Sequence, residues 1–169
     1  KVQIDAGVDV VIRRGWYEST DFWSPDLIRE FLLEPLKQEI EMAHEAGVYY
    51  TYVMNSEVRP LLDIFRELGF DVYSNIDPMT AGMDLADVKR ELGDHMALYG
   101  GVNNFRVLED GTPEEVRRAV VEAAEKMAPG GGYIVGPGDA PDCMMAKRET
   151  TERNFYEMIR AWKEIRHCA

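Results

Sequence analysis

The sequence is poor in cysteine and in positive charge, and it lacks a long apolar run. Its 169 residues include two cysteines, Cys143 and Cys168, which are too few for a disulfide framework. No run of eighteen apolar residues occurs, so we expect no transmembrane helix. These absences predict a soluble protein of the reducing cytoplasm.

Negative charge predominates, because 31 Asp and Glu stand against 19 Lys and Arg and give a formal net charge of -12. A chain with this charge repels phosphate groups, and its cations are spread over the predicted helices instead of clustering. We therefore expect neither nucleic acid nor an anionic membrane among its partners.

Five apolar segments each follow a helix end and one or more glycines. They run from Val8 to Ile12, Val48 to Met54, Phe70 to Ile76, Met96 to Tyr99 and Tyr133 to Val135. The helical segments between and after them open at Ser24, Pro60, Asp84, Thr112 and about Thr151, with a bend expected at Pro35. Strands that alternate with helices predict a parallel α/β sheet, here in a single domain over residues 1–169.

The clearest βα unit surrounds residues 96–104. Its apolar run is short and ends at Gly100-Gly101, which is typical of a strand buried on both faces of a parallel sheet. Asn103 and Asn104 follow this strand, and Thr112 then begins the next helix as its N-cap. Polar residues therefore stand at the carboxyl end of the strand.

Polar residues follow the other predicted strands as well. The full set is Arg13, Arg14 and Tyr17, then Asn55 and Ser56, then Asp77, then Asn103 and Asn104, then Asp139 and Asp142. Because the carboxyl ends of parallel strands meet at one edge of a sheet, these residues are predicted to form a polar ring with both signs of charge.

The two arginines have two interpretations. Arg13 and Arg14 can hold a substrate carboxylate or phosphate through bidentate hydrogen bonds, or they can pair with loop acids such as Glu18 and Asp21. The aromatic residues of the same loop can wall the mouth of a site or simply pack together. These residues are Trp16, Tyr17, Phe22 and Trp23.

The remaining polar candidates also have a structural alternative. Asp77 precedes Pro78, so it is either a general base or ligand anchor, or the first residue of an Asx-type turn. Asn55 and Asn103 can orient a ligand or satisfy loop backbone. Asp139 lies between glycine and alanine, as turn residues often do.

Several motifs, in their order and spacing, resemble the carboxyl-terminal half of the uroporphyrinogen decarboxylase family. They are SPDLIREF at 24–31, LEPLK at 33–37, DLADVK at 84–89, GGVN at 100–103, GTPEEV at 111–116 and PGGGYI at 129–134. Members of this family are (β/α)8 TIM barrels, and they include porphyrinogen decarboxylases and cobalamin- or coenzyme-M-linked methyltransferases. The resemblance implies that this chain supplies about the last five βα units of such a barrel, with the first three preceding Lys1.

The chain departs from the signatures of both chemistries. Zinc-dependent methyltransferases of the family carry His-x-Cys at positions that align with Thr51 and Val53, and a further cysteine where this chain has Gly136-Pro137-Gly138. The resemblance therefore implies no metal site. Porphyrinogen decarboxylases carry Gly-His-Gly at that last turn, and Pro137 replaces the histidine here. Their other key groups lie in the amino-terminal units.

The resulting hypothesis is decarboxylation of a porphyrinogen-like tetrapyrrole without metal or cofactor, in which an acid protonates the pyrrole carbon and cations anchor the carboxylates. We assign catalysis to Asp77 and Arg14. Substrate binding is assigned to Arg13, Tyr17, Asn55, Asn103 and Asp139. The alternatives are a methyltransferase whose corrinoid is carried by a partner protein, a non-catalytic ligand-binding fragment, or a truncated product that needs a second copy or an amino-terminal half to cover its sheet edges.

Overall fold

A computed structural model describes residues 1–54, 56–80, 84–140 and 148–166. Asn55, Asp142, Cys143 and Cys168 therefore lie outside the described residues. The strands are β1 (Val10–Arg14), β2 (Tyr49–Val53), β3 (Val72–Ile76), β4 (Ala97–Val102) and β5 (Tyr133–Pro137). The α-helices are α1 (Val2–Asp5), α2 (Pro25–Phe31), α3 (Leu33–Glu45), α4 (Leu62–Leu68), α5 (Leu85–Leu92), α6 (Pro113–Met127) and α7 (Arg148–Ile165). A 3-10 helix (Arg59–Leu61) precedes α4, and a π-helix (Asn104–Glu109) follows β4.

The five strands form one sheet in the order β1-β2-β3-β4-β5, and every neighbouring pair is parallel. Val10 lies opposite Tyr49 at one end of the first pair, and Arg14 lies opposite Val53 at the other. All carboxyl ends consequently point the same way. The predicted parallel α/β fold is confirmed, and it is the fold of a partial TIM barrel.

The helices cover one face of this sheet. Tyr52, Tyr73 and Leu98 point from the strands toward the helices and are at most 3% exposed. They share one hydrophobic core with Val88 of α5 and Met127 of α6. Burying each such side chain stabilises the fold by about 1.5–3 kcal/mol, so this face is the main source of stability.

The other face, which we call the open face, carries Val10, Ile12, Tyr49 and Ile134, and these four side chains are exposed. Strand periodicity puts alternate residues on it, so Arg14 shares this face with Ile12 while Arg13 points to the helices. Burial on both faces is expected for the strand at Met96 to Tyr99. There Leu98 is buried on the helix side, whereas Tyr99 on the open face is half-buried.

Helix α6 begins where the sequence predicts. The Thr112 hydroxyl accepts a hydrogen bond from the Glu115 backbone N–H, and the Glu115 carboxylate accepts one from the Thr112 N–H, which completes a capping box. Asp84 caps α5 in the simpler way, by accepting from the Ala86 N–H. The predicted starts at Ser24, Asp84 and Thr112 are thus confirmed.

Several boundaries differ from the predicted ones. β1 begins at Val10 instead of Val8 and continues to Arg14, so both arginines lie within the strand. β4 runs on through its two glycines to Val102. Glycine does not end this strand; it permits close approach, because a Cβ at Gly100 would lie 2.5 Å from the Ile76 carbonyl oxygen. The helix expected to bend at Pro35 is instead two helices divided at Leu32.

In the part of the chain that the structure describes, no helix is both long and apolar enough to span a membrane.

Candidate functional site

A cavity of about 620 Å³ occupies the open face. Its floor is apolar and is formed by Val10, Ile12, Tyr49, Val72 and Ile134. Its polar residues are Thr51 and Ser74 in the middle of β2 and β3, and Arg14, Asn75 and Asp139 toward the carboxyl ends of the strands. Apolar walls with a few converging polar groups are typical of a ligand site, so we take this cavity as the candidate site.

Arg14 is the cation of this cavity. Its guanidinium carbon lies 5.2 Å from the centroid of the Trp16 ring, which is within the range of a cation–π contact. No ion pair joins Arg14 to any residue within the described ranges. Its charge is therefore available to an anionic ligand.

Arg13, which the sequence also placed at the site, lies on the helix side. Its guanidinium donates to Glu18, and Nη1 donates to Glu39 Oε1 over 2.7 Å. The phenols of Tyr50 and Tyr52 donate to the same two carboxylates, over 2.9 Å and 2.7 Å. The hydrogen bond to Glu18 raises the pKa of Arg13 above its ordinary value. The structure thus shows the pairing with Glu18 that the sequence left open.

The aromatic residues after β1 do not form one wall. Trp16 lines the cavity. Tyr17 is 72% exposed, and its ring meets the edge of Phe22 at 5.3 Å between centroids. Trp23 is partly buried against the helix-side core. A substrate-binding role for Tyr17 remains a prediction.

Asp77 is buried, with 2% exposure, and is held from two sides. Asn103 Nδ2 donates to its two carboxylate oxygens over 3.0 Å and 2.8 Å, and the Met79 N–H donates to Oδ1 over 2.8 Å. The Met79 bond is the Asx-type turn that the sequence left as an alternative. A catalytic role for Asp77 remains a prediction.

Asn103 is held as firmly as Asp77. Its Oδ1 accepts from the Arg106 N–H over 2.7 Å, which caps the π-helix, while its Nδ2 donates to Asp77. Asn103 lines a second cavity of about 640 Å³, on the helix side between α5 and α6. The structure therefore joins Asn103 to Asp77, and neither residue lines the cavity that contains Arg14. A ligand role for Asn103 remains a prediction.

Asn75 is the residue of the cavity that the sequence reasoning missed. It has φ of +68°, and the pairing of β3 with β4 shifts register between Tyr73 and Ile76. This β-bulge turns the Asn75 side chain onto the open face. Asparagine tolerates the left-handed conformation better than most residues. The Ser-Asn pair inside an otherwise apolar strand was therefore the sequence feature that could have indicated a bulge here.

Asp139 meets Asn75 across the cavity. Asn75 Nδ2 donates to Asp139 Oδ1 over a long 3.5 Å, and the Ala140 N–H donates to the same oxygen over 2.7 Å. β4 lies between their strands, and it contributes Tyr99 to the same cavity; the next residue, Gly100, pairs with Ile76 of β3. The structure thus brings Arg14, Asp139 and Asn75 to one cavity.

The family model for uroporphyrinogen decarboxylase (URO-D) matches residues 1–164. The chain belongs to this family. Among solved structures, a methyltransferase from Methanosarcina mazei has a TM-score of 0.75 and 22% sequence identity to the chain; the match covers 96% of this chain and 44% of that one. The chain therefore spans less than half the length of that structure. No curated protein matches it.

The zinc site of URO-D-family methyltransferases does not fit this chain. Thr51 and Val53, the residues aligned with its His-x-Cys, both line the cavity on β2. A hydroxyl and an aliphatic side chain are not zinc ligands. Within residues 1–54, 56–80, 84–140 and 148–166, no three His, Cys, Asp or Glu are grouped so as to hold a metal ion.

Proposed function

We propose that this URO-D-family chain contributes the carboxylate-binding part of a substrate site, and that the enzyme decarboxylates a porphyrinogen-like tetrapyrrole without a metal ion. The observation that carries the proposal is the Arg14 guanidinium above an apolar floor, without an ion-pair partner among the described residues. Of two adjacent arginines, one is engaged by two glutamates and the other faces the cavity.

This combination suits a substrate that is an apolar macrocycle with carboxylate side chains. The floor of the cavity would cover the rings, and Arg14 would anchor one carboxylate by a charge-assisted hydrogen bond. In the reaction a ring carbon accepts a proton, the bond between the side-chain CH2 and the departing carboxylate breaks, and CO2 leaves. The electron pair of that bond forms a double bond between the ring and the CH2 carbon and neutralises the protonated ring. A second proton then adds to this carbon while the ring proton is lost, which restores the pyrrole and leaves a methyl group.

A general acid must deliver the proton in this scheme. Asp139 lines the cavity, whereas the buried Asp77 does not. We therefore propose Asp139 as the acid and regard Asp77 as the support of the neighbouring strand ends. The sequence alone assigned catalysis to Asp77 and substrate binding to Asp139.

The test is anaerobic incubation of the protein that contains this chain with uroporphyrinogen, in the presence of EDTA, followed by mass spectrometry of the products. We expect successive losses of CO2. The Arg14→Gln variant should lower kcat/KM by about 10- to 100-fold, the range expected for one charge-assisted hydrogen bond. Arg13→Gln should instead lower the free energy of unfolding and leave the kcat/KM of the folded protein within about twofold of the parent.

Each of the other hypotheses predicts a different result, in this assay or in a parallel one with a corrinoid. Methylation of added cob(I)alamin by a methylated compound, seen by ultraviolet-visible spectroscopy without any loss of CO2, would replace decarboxylation with corrinoid-linked methyl transfer. Binding of uroporphyrin with neither reaction would indicate a ligand-binding module. Loss of CO2 that is abolished by EDTA would contradict metal independence.

A further inference from the structure

The β3 bulge places two consecutive side chains on the open face. Successive side chains of a regular strand point to opposite faces, yet Ser74 and Asn75 both line the cavity. Asn75 is the one non-glycine residue with positive φ in the described part of the chain. A strained residue of this kind persists where the surrounding structure holds it, and such residues cluster at functional sites.

The Asn75 carboxamide is oriented by its neighbours on both sides. Its Oδ1 accepts a hydrogen bond from Ser74 Oγ over 3.0 Å, so its Nδ2 faces the other way. Nδ2 donates to Asp139 Oδ1, which also accepts from the Ala140 N–H. The hydrogen bonds from Ser74 to Asn75 and from Asn75 to Asp139 therefore connect β3 to the end of β5.

We propose that Asn75 is a positioning residue, which the bulge turns into the cavity so that its amide holds the Asp139 carboxylate toward the substrate. This inference rests on the proposed function, because it assumes that Asp139 acts on the bound molecule. It adds a residue that contributes to the rate through Asp139, while Arg14 contributes to binding.

The positive φ at Asn75 allows a substitution that removes the side chain without straining the backbone. Glycine adopts positive φ without strain, so Asn75→Gly keeps the bulge and removes the carboxamide. Asn75→Asp keeps the shape and also tolerates positive φ, but it has no N–H to donate to Asp139. We expect both variants to fold and to lower kcat about tenfold, with KM within about twofold of the parent because the Arg14 contact remains. A rise in KM at unchanged kcat would overturn the assignment.

A double-mutant cycle tests whether Asn75 acts through Asp139. In an Asp139→Asn background, Asn75→Gly should change kcat by less than about twofold, since the group it positions is already gone. Fully additive effects would overturn the proposal. Asn75→Ala serves as a strain control, because alanine disfavours this φ and should destabilise the fold more than glycine does.

Failure of the proposed function can be told apart from failure of this inference. Where no tetrapyrrole loses CO2, the same cycle is measured by urea unfolding, and the coupling between Asn75→Gly and Asp139→Asn should change the unfolding constant by about fivefold. Such a coupling would show that the pair is formed although the reaction was wrongly chosen. No coupling in either measurement would overturn the positioning role.

Discussion

At the scale of single residues, the buried carboxylate of Asp77 joins three strand ends. It follows β3, accepts hydrogen bonds from Asn103 at the end of β4, and packs against Gly138 after β5. A Cβ at Gly138 would lie 2.6 Å from Asp77 Oδ2, so glycine is required at this contact. These contacts fix the end of β5 next to β3, and Asp139 reaches Asn75 as a result.

Exchanging the residues at positions 77 and 103 tests whether the hydrogen bonds between Asp77 and Asn103 stabilise the fold. Asp77→Asn sets two amide NH2 groups against each other and should lower the free energy of unfolding by about 2–3 kcal/mol. The double variant Asp77→Asn/Asn103→Asp restores one donor and one acceptor and should recover most of that loss in urea unfolding. Equal losses in the single and double variants would argue against the hydrogen-bonded pair. If the double variant is stable but inactive, the catalytic role predicted for Asp77 from the sequence gains support.

The roles of Arg13 and Arg14 show where sequence reasoning reached its limit. The pair was recognised as lying at the end of the first strand, which is its place in the structure. Strand alternation sends one side chain to the helices and the other to the cavity, but Val10, Val11 and Ile12 are all apolar, so the sequence does not show which face the helices cover. The bulge at Asn75 was out of reach for a related reason, because a local change of register leaves no period in the sequence.

At the scale of elements, the π-helix after β4 is held at both ends by asparagines. Asn103 caps its start, and Asn154 of α7 reaches its end. Asn154 is fully buried, and its Nδ2 donates to the carbonyl oxygens of Gly111 over 2.7 Å and Leu108 over 3.1 Å. Carbonyl groups at helix ends need such donors, so α7 completes the backbone hydrogen bonds of this connection.

Two substitutions at Asn154 should lower the free energy of unfolding by different amounts. Asn154→Ala leaves buried carbonyls without a donor and should lower the free energy of unfolding by about 2 kcal/mol. Asn154→Asp should lower the free energy of unfolding further, since a carboxylate would face carbonyl oxygens in a buried site. Chemical denaturation of the two variants measures the order. An aspartate variant as stable as the parent would show that this contact contributes little.

The helices and strands themselves were largely predictable. All five strands and the capped starts of α5 and α6 occur where hydrophobic periodicity and cap residues place them. The π-helix had no such signal, because carbonyl groups at its end accept hydrogen bonds from Asn154, about 50 residues further along the chain. Contacts between distant segments decide elements of this kind.

At the scale of the whole molecule, buried tyrosine hydroxyl groups should make the fold less stable at alkaline pH. Burial, reinforced by the hydrogen bond to Glu18, raises the pKa of Tyr52 above its ordinary value of 10.0. Burial likewise raises the pKa of Tyr73, whose hydroxyl has no hydrogen-bond partner in the described structure. A folded-state pKa above the unfolded value stabilises the fold below about pH 10, and this contribution is lost as the pH rises above it.

Phenylalanine variants at these two positions should therefore have different effects on the free energy of unfolding at neutral pH. Both should make that free energy depend less on pH above pH 10. Tyr52→Phe should lose about 1 kcal/mol at pH 7, since it removes the bond to Glu18, whereas Tyr73→Phe should be neutral or stabilising because it removes an unpaired buried hydroxyl. Each should flatten the decline of stability above pH 10 by up to about 1.4 kcal/mol per pH unit. Urea unfolding at pH 7, 9 and 11 checks both effects, and an unchanged alkaline slope would contradict them.

The order of the strands in the sheet has a consequence for biosynthesis. Each strand pairs with the one made just before it, so no pairing has to wait for a distant segment of the chain. Ribosomes add roughly 5–20 residues per second, which is slow beside the microsecond formation of local structure. The sheet can therefore grow from β1 toward β5 while translation continues, each newly emerged segment finding its neighbour already in place.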